Sequence, residues 1–198
     1  MTSAAQAAAL VFAAEPRFAR MTALQPDLIG QSAWYEASET TDGYSVAVTL
    51  GSGDCFAGCI DRHTWTYHVG FDGTITLVGD DGDEVEVSPP DGTDAPMTAR
   101  VLLAAGPVCP VEQMPPAPGC EPRPIVNAEV VLRDPSGAEV AREVTDEQGR
   151  IDFQVPGGAY YVEAEPVEGI MRMAAAQAFS GVGGDVVGIT LGFDTGIR

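Results

Sequence analysis

Between positions 32 and 79 the apolar residues recur at every second position, in short runs that end in glycine or in Asp-Gly. Tyr44, Val46, Val48 and Leu50 fall on one side of an extended chain, and Trp65, Tyr67 and Val69 fall on one side of another. A period of two marks a strand with one buried face, because successive side chains point to opposite sides of a sheet. Thr40 to Gly43, ending in Asp-Gly, supplies a hairpin turn, and Phe71-Asp72-Gly73 supplies a second turn. Runs at 32–38, 44–50, 63–70 and 74–79 therefore predict a four-strand antiparallel meander. Upstream, residues 3–21 place Ala8, Leu10, Val11, Ala14, Phe18 and Met21 at helical spacing, with Ser3 as N-cap and Pro16 as an internal interruption. One helix packed across a four-strand antiparallel sheet gives an α+β domain over residues 1–88.

Residues 89–96 carry Pro89, Pro90, Gly92 and Pro96 among acidic and small polar residues, the composition of a linker. Beyond it, strand-like runs at 99–104, 125–133, 138–144, 151–155, 159–166, 171–179 and 185–193 are separated by turn residues. No helical pattern interrupts them. Seven short strands of this kind predict an all-β Greek-key sandwich over residues 97–198.

The four cysteines form two close pairs, Cys55 with Cys59 and Cys109 with Cys120, one in each expected domain. Of the three possible connectivities, the sequential one closes short loops and crosses no domain boundary. The longer bridge would stabilise by roughly 3 kcal/mol and the tighter one by less. Such bridges imply an oxidising compartment. A zinc site made of Cys55, Cys59, His63 and His68 is the competing arrangement. It requires two histidines five residues apart in a strand to converge, although their side chains point to opposite faces.

Charge closes several functional classes. With 29 acidic and 10 basic residues the chain carries a formal net charge of −19, and every basic residue is arginine. That field repels nucleic-acid phosphates and anionic headgroups. The absence of lysine excludes Schiff-base chemistry, a P-loop phosphate clamp and a Lys–Asn crosslink. No Gly-x-Ser-x-Gly elbow is present, oxidised cysteines are not nucleophiles, and carboxylates are too abundant to single out a catalytic pair. The acidic run Asp80, Asp81, Asp83 and Glu84 departs from the spacing of an EF-hand loop. A non-enzymatic protein without a cofactor is the expectation, with no nucleic-acid partner and no membrane insertion.

The local chemistry that stands out lies in residues 51–65. A ring tied by Cys55 and Cys59 would present Phe56 next to Asp54, Asp61, Arg62, His63 and Trp65. A preorganised loop loses little entropy on binding, and aromatic and arginine side chains are frequent interface anchors. The alternative is a stiffened hairpin in which Arg62 pairs with Asp54 or Asp61 and Trp65 joins the core.

Residues 126–166 resemble the carboxypeptidase-regulatory-like, or transthyretin-like, β-sandwich modules of bacterial surface and secreted proteins. The resemblance rests on Val126-Asn127-Ala128-Glu129-Val130-Val131-Leu132, on the turn Thr145-Asp146-Glu147-Gln148-Gly149-Arg150, and on Pro156-Gly157-Gly158-Ala159-Tyr160-Tyr161-Val162-Glu163. The whole chain is similar to a group of uncharacterised secreted proteins and lipoproteins of GC-rich bacteria, through residues 53–67 and the terminal Phe193-Asp194-Thr195-Gly196-Ile197-Arg198. Members usually begin with an export signal or lipobox; residues 1–14 lack the positive n-region of one. The resemblance implies an extracellular or cell-surface binding or scaffold protein of the envelope. A secreted inhibitor of a hydrolase or protease, acting through the Cys55/Cys59 loop, is the alternative.

Overall fold

The computed structural model describes residues 1–25, 28–85, 87, 91–110, 116–168, 170 and 174–197. It contains one α-helix, α1 (Ala4–Ala14), followed by β1 (Thr22–Ala23), β2 (Ala33–Glu39), β3 (Gly43–Ser52), β4 (Asp61–Gly70) and β5 (Ile75–Gly82). The second half holds β6 (Met97–Gly106), β7 (Arg123–Pro124), β8 (Glu129–Arg133), β9 (Glu139–Val144), β10 (Arg150–Val155), β11 (Gly158–Ala164), β12 (Gln177–Gly181) and β13 (Val186–Asp194). The chain is mostly β, in three sheets.

The first sheet runs β1-β2-β3-β4-β5. Its four longer strands form the antiparallel meander that period two predicts. Tyr44 lies opposite Val69, Val46 opposite Tyr67, and Val48 opposite Trp65, so both apolar faces coincide. The two-residue β1, parallel to β2, adds a fifth strand to the expected four, with Thr22 opposite Trp34. So short a segment leaves no periodicity to read. The helix is also shorter than the expected 3–21. Ser3 caps it by accepting from the Gln6 backbone amide, and it ends before Pro16, whose ring and missing N–H stop a helix at the preceding turn.

The second half has eight strands rather than seven. One sheet has the order β10-β6-β13, with β7 paired to β6, and the other has the order β12-β11-β8-β9. In place of the expected Greek-key arrangement, β6 pairs parallel with β13 and antiparallel with β10. Val101, Leu103, Phe153 and Leu191 from one sheet meet Val130, Leu132, Val162 and Phe179 from the other in a shared core. Of the run expected at 171–179, residues 171–173 lie outside the described residues, and the strand occupies its final part.

A second core joins the halves. Ala5, Ala7, Ala8 and Ala9 are buried at consecutive and near-consecutive positions, so α1 is covered on more than one face. On one side it packs on Tyr35, Val46 and Val48 of the meander; on the other it packs on Ala159, Tyr161 and Ala178 of β11 and β12. The layers therefore run meander, helix, β12-β11-β8-β9 sheet, β10-β6-β13 sheet. Alanine is what lets a helix lie this close to two sheets at once. After the helix, residues 18–21 run along β12: the Ser180 hydroxyl donates to the Phe18 carbonyl at 2.6 Å and accepts from the Met21 amide at 3.1 Å. The Ala178 amide donates to the Tyr35 hydroxyl at 2.7 Å, and burial pushes that hydroxyl's pKa up to about 12.

The linker expected at 89–96 connects β5 to β6. Residues 89 and 90 lie outside the described residues, and the Thr93 amide donates to the Gly183 carbonyl, which holds this stretch against the β12–β13 turn. A division into two domains at this point is a proposal that truncation decides.

Candidate functional site

At the end of β3 the chain leaves the ladder and closes a small ring. Cys55 and Cys59 are bonded, as are Cys109 and Cys120, in agreement with the sequential pairing. Together the two bridges indicate an oxidising compartment. The ring contains a single 3-10 turn, Cys55–Ala57, which Asp54 precedes and Gly58 ends in the left-handed conformation. Gly51 permits its close approach to β3, since a Cβ there would lie 2.4 Å from the Cys59 sulfur.

Phe56 projects from this ring and is 83% exposed. It does not stand alone. Its ring lies 3.7 Å from the space a side chain at Gly30 would take, next to Leu28 and Ile29, which are 51% and 73% exposed. These three side chains, with Trp34, Glu36 and Arg62, line an open cleft of ≈ 450 Å³. Ile60, 72% exposed, flanks the ring over Gly53. Single exposed apolar residues are ordinary on a protein surface, whereas a contiguous group of them marks an interaction face.

The remaining expected residues divide. Arg62 folds back over the ring: its Nη2 donates to the Gly58 carbonyl, and its guanidinium lies 5.9 Å from the Trp34 ring centroid. Neither Asp54 nor Asp61 is its partner; Asp61 instead accepts from the Ser52 hydroxyl at 3.5 Å, and Asp54 is exposed. Trp65 is a correction to the expected site. It is 5% exposed, in contact with Phe18 and under the Arg17 guanidinium, and no partner can reach it in the folded protein. Leu28 and Ile29 escape the sequence-based set because they come from the β1–β2 connection, a segment whose pairing no local pattern announces, while Trp34 stands in β2, where period two identifies the strand but not the cleft it lines.

His63 is a clamp rather than a contact residue. Its Nδ1 lies 2.7 Å from the Asp83 carbonyl and its Nε2 lies 2.5 Å from an Asp80 carboxylate oxygen, while its ring stacks on Trp65. A carbonyl and a carboxylate at the two ring nitrogens both favour the protonated ring, which can donate from each nitrogen. The Asp83 carbonyl, followed by the Asp80 carboxylate, accordingly raises the His63 pKa above the ordinary 6.5. His68 lies toward the other end of β4, 3.8 Å from Asp42, so the two histidines do not converge.

The sign of the resulting pH effect follows from the raised value. Stability supplied by protonated His63 is complete below about pH 6.5 and is lost as pH rises through the folded-state pKa. Melting temperature should therefore fall in the wild type as pH rises from 6 to 8, relative to His63→Gln. Parallel melting curves for the two proteins across that range would show that the clamp contributes nothing.

No known family model matches the chain, and no curated protein matches it. Among solved structures it is similar to the Bacillus anthracis TIE protein, at 14% identity and a TM-score of 0.38, over 89% of this chain and 34% of that one. The chain thus spans about a third of that protein's length, and a likeness this weak carries no argument about either fold or function.

Proposed function

We propose that the protein is a non-enzymatic extracellular binding or scaffold module of the bacterial cell envelope, which engages a partner through the face formed by Phe56, Ile29 and Leu28. The observation that supports this reading is the apolar group around a disulfide-tied ring, which lines one cleft with Arg62 and Trp34. A ring fixed by a covalent bond loses little entropy on docking, and exposed aromatic and arginine groups supply the contact energy. The bridges favour an extracellular or cell-surface setting, and no helix among the described residues is long and apolar enough to cross a membrane. An inhibitor that inserts its loop into an enzyme's cleft would need Phe56 to project alone. Here Phe56 is one edge of a broader face, which favours the scaffold reading.

Phe56→Ala with Arg62→Ala tests it. Captured on wild-type protein from envelope extract and medium, a partner should bind the double variant at least tenfold more weakly, while melting shifts by no more than about 0.5 kcal/mol equivalent per residue. Unchanged capture would remove this face from the function.

A further inference from the structure

On the outer face of the β10-β6-β13 sheet lies an open trough of ≈ 700 Å³ into which three of the chain's ten arginines, Arg20, Arg100 and Arg150, converge. In a protein of net charge −19 such a concentration is itself unusual. The ladder explains how it arises: Gly188 lies opposite Arg100, and Thr190 opposite Leu102, which in turn lies opposite Arg150. Gly188 has open space where a side chain would stand, so the floor beside the arginines is bare.

The three guanidiniums differ in what they leave available. Arg20 gives its Nε and Nη2 to the Asp185 carboxylate at 3.0–3.2 Å, and Arg100 gives its Nε and Nη2 to Asp152 at 2.8–3.0 Å. One edge of each guanidinium is thereby fixed and its Nη1 is left unused. The Arg150 guanidinium makes no hydrogen bond among the described residues and acts through space on Asp152, the carboxylate that Arg100 holds. Among the described residues, three guanidiniums face two carboxylates in and beside the trough. Arg20 also holds a left-handed backbone, φ 65°, a conformation that a non-glycine residue keeps only when its surroundings impose it.

We infer that this trough binds an acidic peptide segment. The charge of the site selects carboxylates, and its size exceeds what a single oxyanion fills. Its rim is apolar as well, for Val186 is 62% exposed and Leu28 51% exposed. A flat, bare sheet surface with an apolar rim and spaced guanidiniums suits an extended chain in which glutamate or aspartate alternates with aliphatic side chains. The protein's overall negative charge does not prevent this. At 0.15 M salt the Debye length is about 8 Å, so distant carboxylates are screened while contacts within the trough are not. The trough shares Gln25 and Leu28 with the Phe56 cleft, but Arg20, Arg100 and Arg150 do not line that cleft, and this inference rests on them.

The test uses the full chain and a fluorescein-labelled peptide of alternating glutamate and valine, titrated by anisotropy at 0.15 M salt. The wild type should bind it saturably. Arg150→Gln, which removes no side-chain hydrogen bond among the described residues, should weaken binding at least tenfold, and Arg142→Gln, an equal change in net charge on the opposite sheet, should leave it unaltered. Phe56→Ala should also bind normally, which separates this site from the proposed partner face. The inference fails if the wild type shows no saturable binding, or if Arg142→Gln weakens binding as much as Arg150→Gln. It fails equally if a glutamine–valine peptide binds as well, or if inorganic phosphate competes at the peptide's own concentration, which would make the trough a simple ion site.

Discussion

Deleting residues 1–21 is expected to abolish cooperative folding of the meander while residues 97–198 keep a β-type circular dichroism spectrum. Helix α1, together with Phe18 beyond its end, covers the face of Tyr44, Val46, Val48, Tyr67 and Val69, and without residues 1–21 much of that face meets water. The sandwich has its own core between two sheets and loses only the cover over Ala159, Tyr161 and Ala178. A point variant sharpens the test. Ala8 is 0% exposed between the two layers, so Ala8→Asp would bury a charge without a partner and should cost about 3 kcal/mol or more. Chemical denaturation followed by tryptophan fluorescence measures it, because both tryptophans belong to the meander. If the truncated chain keeps the wild-type midpoint in the tryptophan signal, the helix is dispensable to the meander.

Trp65→Ala should cost about 3–5 kcal/mol, the range for truncating a buried aromatic side chain. The loss combines the contact with Phe18, the stack under His63 and the Arg17 cation over the indole face. Phe56→Ala, eight-tenths exposed and nine positions earlier, should cost less than about 0.5 kcal/mol. Urea midpoints for the two variants give the comparison directly. Similar losses at both positions would mean that the ring packs as part of the core and that its exposed face is not free for a partner.

Much of this architecture is legible along the chain. Alternation at 44–50 and 63–70 identifies the meander and its buried face, because a strand's side-chain period is a local property of the backbone. The cysteine pairing is equally local, since each bridge spans a short loop. Ser3 and Pro16 mark the ends of the helix, although reading residues 17–21 as its continuation gave Phe18 and Met21 the wrong backbone: they are buried in a segment of successive turns held against β12, where their apolarity serves a sheet rather than a helix.

The consecutive apolar residues of β11, Ala159-Tyr160-Tyr161-Val162, are the trace of a strand covered on both faces, since alternation disappears when neither side meets water. That trace shows that a second layer exists without saying which segment supplies it. Tertiary structure alone places α1 there, seats Leu28 and Ile29 beside Phe56, and brings Arg20 to the sheet that carries Arg100 and Arg150. The sequence by itself determined the strands, their buried faces, the bridges and the exclusion of lysine-dependent chemistry, all of which depend on residues near one another in the chain. Which distant surfaces meet, and therefore that Trp65 is core while Ile29 and Arg150 face solvent, was decided by packing, because burial belongs to pairs of elements and no single segment encodes its own cover.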